Sequence, residues 1–251
     1  MTTVRLCHLY PRELNIYADR GNIAVLDRRL AWRGMRLEVT EVGVGEPLAA
    51  SGQDIFYLGG GQDRDQAVVA EDLARLKAAA LRAGVADGAT VLAVCGGYQL
   101  AGQGYTGVDG SRMPGIGLLD LDTVAGDTRL IGNLVIEAEI DGRRGEVVGF
   151  ENHAGRTRLG PGARPLGRVV SGHGNNGEDG YEGAVQDGVI GTYLHGPLLP
   201  KNPWLADRIL ARALAHAGAT AELEPLDDRL EAAAHAAARA RARRRDPPVR
   251  A

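Results

Sequence analysis

Apolar residues open the chain in a tight run, Val4, Leu6, Cys7, Leu9 and Tyr10 with Arg5 and His8 between them, the pattern of a largely buried strand. Over residues 19–32 the apolar positions Ile23, Leu26 and Leu30 fall near helical spacing, and residues 35–42 return to strand alternation. A short apolar run at 54–58 ends in Gly59, Gly60 and Gly61, and a long Ala- and Leu-rich helical pattern follows from Asp63 to Arg82, stopped by Gly84 and Gly88. Residues 90–94 form a continuous apolar strand that passes without a linker into Cys95, Gly96 and Gly97, where a helix begins. Strands alternating with helices predict an α/β fold with a mainly parallel sheet covered on both faces.

The texture changes near Ile131. Strand-like pieces at 133–140 and 146–150 are separated by glycines, and a polar Gly/Asn loop spans 171–180. This predicts an antiparallel extension of the same domain with one mobile loop. A late strand, 189–194, ends on His195, and residues 203–217 carry the last core helix with Trp204, Leu205, Ile209 and Leu214. The domain is therefore expected to span residues 1–218. Residues 219–251 are read as an Ala- and Arg-rich solvated helix fraying into a tail.

Composition narrows the function classes. The 251 residues, 44% apolar and 24% charged, suit one ordinary domain with a sizeable core. Twenty-nine Lys and Arg against 32 Asp and Glu leave a formal charge of -3, which supplies no global field for nucleic acid or anionic lipid. The arginines at the C-terminal end are the one place where a nucleic-acid arm could be sought. No secretory leader pattern opens the chain, and no run approaches the roughly 18 apolar residues of a spanning helix, so a cytoplasmic location is expected. With only Cys7 and Cys95 present, a disulfide framework is not expected and a lone thiol stays free to react.

Cys95 has the placement of a nucleophile. A cysteine between a buried strand and a glycine-led helix sits on a sharp turn at the carboxyl end of the sheet, beside the positive end of the helix dipole. The glycines after it allow close backbone approach and leave an amide able to donate to an oxyanion, and the Gly59–Gly61 loop at the end of a neighbouring strand can supply a second donor. Taken alone, the same features also describe an ordinary buried cysteine. His195 is what weighs against that: it ends another buried-type strand, before Gly196 and Pro197, and strand ends of a parallel sheet gather on one edge. A histidine there can take the thiol proton and return it to a leaving amine. Of the other histidines, His8 reads as structural, His216 and His235 lie on helix patterns, His173 lies in the polar loop, and His153 is the one serious rival. Neither paired metal-ligand spacing nor a phosphate-binding Gly-Lys loop occurs, so no metal and no cofactor is expected in this chain.

Four segments in order, Leu58-Gly59-Gly60-Gly61-Gln62-Asp63, Val94-Cys95-Gly96-Gly97-Tyr98-Gln99-Leu100, Phe150-Glu151-Asn152-His153 and Tyr193-Leu194-His195-Gly196, resemble the cobyric-acid-synthase-type class I glutamine amidotransferases over about residues 3–217. Within that group the short stand-alone form, with Arg129-Leu130-Ile131-Gly132-Asn133, is similar to the GatD family of lipid II isoglutaminyl synthase subunits. The resemblance implies a flavodoxin-like fold and a Cys95 thioester with L-glutamine. It also implies ammonia passed to a Mur-ligase-like partner, MurT, which would hold ATP and Mg and amidate the D-glutamate of lipid II. By the same comparison Arg129 would contact the glutamine α-carboxylate, and Gly60 and Gly96 would be the oxyanion donors. The chain departs from the wider family in two places, with Ala93 where glycine often precedes the nucleophile and Pro197 where an acid often follows the histidine. The third catalytic member is therefore open between Glu151 and a residue of the partner. A glutaminase for another synthetase, of cobalamin or purine type, would keep every assignment. A stand-alone cysteine hydrolase of the same architecture would not need Arg129.

Overall fold

The computed structural model describes residues 1–16, 19–49 and 51–243. The chain begins with β1 (Thr3–Leu9), α1 (Arg20–Ala31), β2 (Arg36–Val42) and β3 (Ile55–Leu58), the opening expected from the apolar spacing. Helix α2 (Asp63–Asp72) runs through a π-helical stretch at Leu73–Lys77 into α3 (Ala78–Asp87). The helix passes the buried Gly84 and ends at Gly88, whose φ of 110° is the left-handed cap that glycine supplies. Around the π stretch, Lys77 is fully buried against the Asp72 carboxylate, which also accepts the Tyr10 hydroxyl.

Strand β4 (Thr90–Val94) is buried at every position and leads directly into the single-turn-scale helix α4 (Gly96–Ala101). Strands β11 (Ala184–Gln186) and β12 (Val189–Thr192) complete the first sheet, whose order is β11-β12-β4-β3-β1-β2. All its pairings are parallel except the β11–β12 edge. Helix α5 (Pro203–His216) buries Leu205, Ile209, Leu210 and Leu214, the stripe a core helix presents.

The extension is a second sheet, antiparallel at every pairing but one. It contains β5 (Gly104–Thr106), β6 (Arg112–Pro114), β9 (Gly167–Ser171) and β10 (Tyr181–Glu182) around one long hairpin, β7 (Leu121–Ile140) and β8 (Arg143–Leu159). The pieces expected at 133–140 and 146–150 are the inner ends of these two strands, and their register shifts between Ala125 and Leu130.

Two expectations change. The 171–180 loop is pinned: the buried Glu151 carboxylate accepts the His173 and Gly174 amides and the His173 ring, while Asn176 binds the Thr157 carbonyl and Asp179. The chain also does not finish folding at Gly218. Arg29, 1% exposed, holds Asp207 and Asp228 together, and Arg33 donates to the Glu224 carbonyl. Helix α6 (Arg229–Arg243) lies against the hairpin, with Arg239 on Glu146, His235 on the Lys201 carbonyl and Ser171 donating to the Ala242 carbonyl. None of its side chains is buried. The remainder of the Arg-rich end, residues 244–251, lies outside the described residues.

Candidate active site

Cys95 stands at the junction of β4 and α4 with φ 51° and ψ −105°. A non-glycine residue held there is strained, and such strain persists only where its surroundings over-determine it. The surroundings are two interlocked turns. The Cys95 amide donates to the Thr192 carbonyl at 2.8 Å, and the Gly97 amide donates to the Gly59 carbonyl at 3.1 Å. A Cβ on Gly97 would stand 2.7 Å from the Leu58 carbonyl oxygen, so the loop after β3 and the turn after β4 meet backbone to backbone.

His195 lies just beyond β12, and the long hairpin fixes it: its amide and carbonyl exchange hydrogen bonds with Phe150 of β8, at 2.8 and 3.2 Å. Its ring is buried beside Cys95. Burial disfavours the charged imidazole, but the thiolate of Cys95 and the Asp19 carboxylate outweigh it and raise the histidine to about 10. The fold thus brings together the two residues singled out from the sequence, 100 positions apart. Cys7, the other free cysteine, is buried in β1, and desolvation pushes its thiol up to about 12. Its setting is that of an inert core thiol.

Asp19 was not legible as a site residue, because an Asp just before an apolar helix reads as an ordinary N-cap. It is fully buried, and its Oδ1 lies 3.5 Å from His195 Nδ1. Its Oδ2 accepts the Gly60 amide at 2.8 Å. Gly60 thus touches the site through the carboxylate, and an oxyanion would have to compete with Asp19 for that amide. Gly96 follows the nucleophile directly at the first position of α4, where its amide points out of the helix start.

Glu151 does not orient His195. Its carboxylate serves the 171–180 loop and lies 3.7 Å from His153 Nε2. His153, the rival histidine, is engaged elsewhere: its Nδ1 bonds the Gly155 carbonyl, its ring stacks on Tyr193 at 3.5 Å, and burial lowers its basicity. Tyr193 in turn belongs to a buried chain of hydrogen bonds, Gln66 to Gln99, Gln99 to the Tyr193 hydroxyl, and Thr157 to the same hydroxyl. Arg129 is exposed in the irregular stretch of β7, with Nε on Asn152 Oδ1 at 2.7 Å and Nη2 on the Asn152 carbonyl at 2.8 Å. Asn152 precedes His153 in the chain, and these two bonds tie Arg129 to that segment of β8 and not to Cys95 or His195. Among the described residues no group of His, Cys, Asp and Glu is placed to hold a metal ion, and no helix is long and apolar enough to cross a membrane.

The chain is 39% identical to the GatD subunit of lipid II isoglutaminyl synthase (glutamine-hydrolyzing) of Staphylococcus aureus over 92% of this chain and 93% of that protein. It is 39% identical to the subunit of the same name in Streptococcus pneumoniae over 84% and 80%. PurLQS of Thermotoga maritima superposes with a TM-score of 0.57 at 17% identity, covering 86% of this chain and 97% of that one. The glutaminase domain of Trypanosoma brucei CTPS gives 0.55 at 12%, covering 88% and 96%. These two likenesses concern the fold. A family model, that of the CobB/CobQ-like glutamine amidotransferase domain, matches residues 5–203, and with the strained Cys95 elbow and His195 set against it, the chain belongs to that family.

Proposed function

We propose that this chain is the ammonia-producing subunit of a lipid II isoglutaminyl synthase, hydrolysing L-glutamine through a Cys95 thioester. The observation that carries the reading is the Cys95–His195 pair held at a strained strand-to-helix turn. The 39% identity to the S. aureus subunit, over 92% of this chain and 93% of that one, supports the choice of reaction.

The chemistry follows from the pair. With His195 protonated, the Cys95 thiolate attacks the side-chain amide carbon of glutamine, and the Gly96 amide receives the developing oxyanion. Collapse of the tetrahedral intermediate breaks the C–N bond, and His195 gives its proton to the departing nitrogen, which leaves as ammonia. A water then attacks the thioester with His195 taking its proton, and glutamate leaves as the thiolate reforms. Arg129 would pair with the α-carboxylate of glutamine. A Mur-ligase-like MurT subunit would bind ATP and Mg and use the ammonia to amidate the D-glutamate of lipid II, so this chain needs no cofactor of its own. A cytoplasmic location belongs to the same proposal.

The test is glutamine-dependent and ammonium-dependent amidation by the complex of this chain with such a partner. Cys95→Ala abolishes the glutamine-driven reaction and keeps the ammonium-driven one, and His195→Ala lowers glutamine turnover at least about a hundredfold. Ammonia release from glutamine by a folded Cys95→Ala protein would end the proposal.

A further inference from the structure

We propose that Asp19 is the acid that positions His195, standing in for the acid that Pro197 displaces from the turn after the histidine. The inference deepens the glutaminase reading and rests on it for its rate arm alone.

Three features of the structure converge on it. First, Asp19 is the N-cap residue of α1, yet its side chain makes no capping bond to its own helix. Aspartate at that position ordinarily accepts an amide of the first turn. Here the carboxylate turns away, with Oδ2 fixed by the Gly60 amide at 2.8 Å and Oδ1 toward His195 Nδ1 at 3.5 Å. Both side chains are fully buried, so the interaction is not diluted by water.

Second, the backbone around Asp19 is braced from several sides. The Tyr57 hydroxyl donates to the Asp19 carbonyl at 3.1 Å and accepts from Asn22 Nδ2 at 3.0 Å. Asn22 Oδ1 accepts the Leu199 amide at 2.8 Å. The start of α1 is thereby tied to the same turn that carries His195.

Third, Pro197 occupies the position two residues after the histidine, and it packs on Gly21. A Cβ on Gly21 would stand 2.6 Å from Pro197 Cγ. That contact seats the start of α1 on the turn after His195, and Asp19, two residues before Gly21, faces the ring. Glu151 is engaged with the 171–180 loop. With Nδ1–H donated to Asp19, Nε2 is the nitrogen left to exchange protons with Cys95.

Asp19→Asn separates this role from a structural one, because the amide oxygen still accepts the Gly60 N–H while the negative charge on His195 is lost. We expect Asp19→Asn to lower kcat for glutamine hydrolysis by on the order of a hundredfold or more with KM within about twofold. The pH profile of Cys95 alkylation by iodoacetamide should shift with it, since the imidazolium that pairs with the thiolate loses its partner. Alkylation needs no glutamine, so a shifted profile without glutaminase activity would sink the functional reading and leave the role of Asp19 standing. Parental kcat and parental alkylation profile in Asp19→Asn, with losses only in Asp19→Ala, would mean that Asp19 merely holds Gly60 and would overturn the proposal. Should Asp19→Asn not fold, nitrogen-15 NMR of histidine in the unsubstituted protein decides: a protonated, hydrogen-bonded Nδ1 on His195 is expected, and a neutral Nε2–H tautomer at pH 7 overturns it.

Discussion

Gly21→Ala is a small change with a calculable consequence. The added methyl would lie 2.6 Å from Pro197 Cγ and 3.0 Å from its Cβ. Carbon–carbon contacts are favourable at about 3.5–4.0 Å, so α1 and the His195 turn must separate by about 1 Å. The obstacle is a closed proline ring, which cannot swing aside. Overpacking of this kind costs roughly 1–3 kcal/mol, while alanine in place of glycine within a helix regains at most about 1 kcal/mol. The net loss is about 0–3 kcal/mol, a fall of up to roughly 12 °C in melting temperature for a chain of this size. Turnover should fall further than stability, because misplacing a catalytic group by about 1 Å costs on the order of a hundredfold. Thermal melting and glutamine turnover measured on Gly21→Ala, Pro197→Ala and the double variant form a cycle. Pro197→Ala removes Cγ and leaves the remaining contact at 3.0 Å, so the double variant should recover part of the loss and depart from additivity by more than about 0.5 kcal/mol. A Gly21→Ala protein with parental turnover and melting temperature would show that the His195 turn does not lean on α1.

Arg129→Lys and Arg129→Ala should both weaken glutamine use, by on the order of tenfold to a hundredfold in kcat/KM for loss of a charged hydrogen bond at an exposed site, while ammonium-driven amidation stays unchanged; equal losses with both nitrogen sources would make Arg129 a subunit-contact or fold residue. Glu182 offers a pH test of the same region: burial pushes its carboxyl up to about 7, against hydrogen bonds from the Thr192 hydroxyl and the Tyr193 amide. Its folded value lies above its ordinary one, so its contribution is fully present below about pH 4.3 and is lost as pH rises through about 7. Glu182→Gln keeps the acceptor oxygen without the charge, and it should gain melting temperature over the parent at pH 8 and not at pH 4; a difference independent of pH would refute this account.

How much of this was readable beforehand depends on the range of the forces involved. Strand β4, the glycine pair after Cys95 and the apolar strand leading to His195 are local patterns, because a fully buried parallel strand needs an uninterrupted apolar run and a tight turn needs glycine. Cys95 and His195 therefore stood out from the sequence as the candidate pair. The long hairpin β7–β8 was legible only in its pieces at 133–140 and 146–150, since much of its length is exposed and its register breaks between Ala125 and Leu130, which interrupts the alternation that marks a strand. The docking of α6 was equally hidden. Its surface pattern is that of a solvated helix, and its anchors are single long-range contacts such as Arg29 with Asp228 and Arg239 with Glu146.

The amino-acid sequence by itself determined the parallel sheet, the turn that strains Cys95 and the family of reactions a cysteine and a histidine can perform there. Tertiary structure alone decided which acid faces the histidine. Asp19 and His195 are separated by 176 positions, and on the page Asp19 looks like a helix cap while Glu151, in a motif of its own, looks like the partner. Only when Pro197 packs on Gly21 and the hairpin pins His195 through Phe150 does the Asp19 carboxylate come within reach of the ring. The position of a buried charge is set by every element packed around it, and no local pattern encodes that sum.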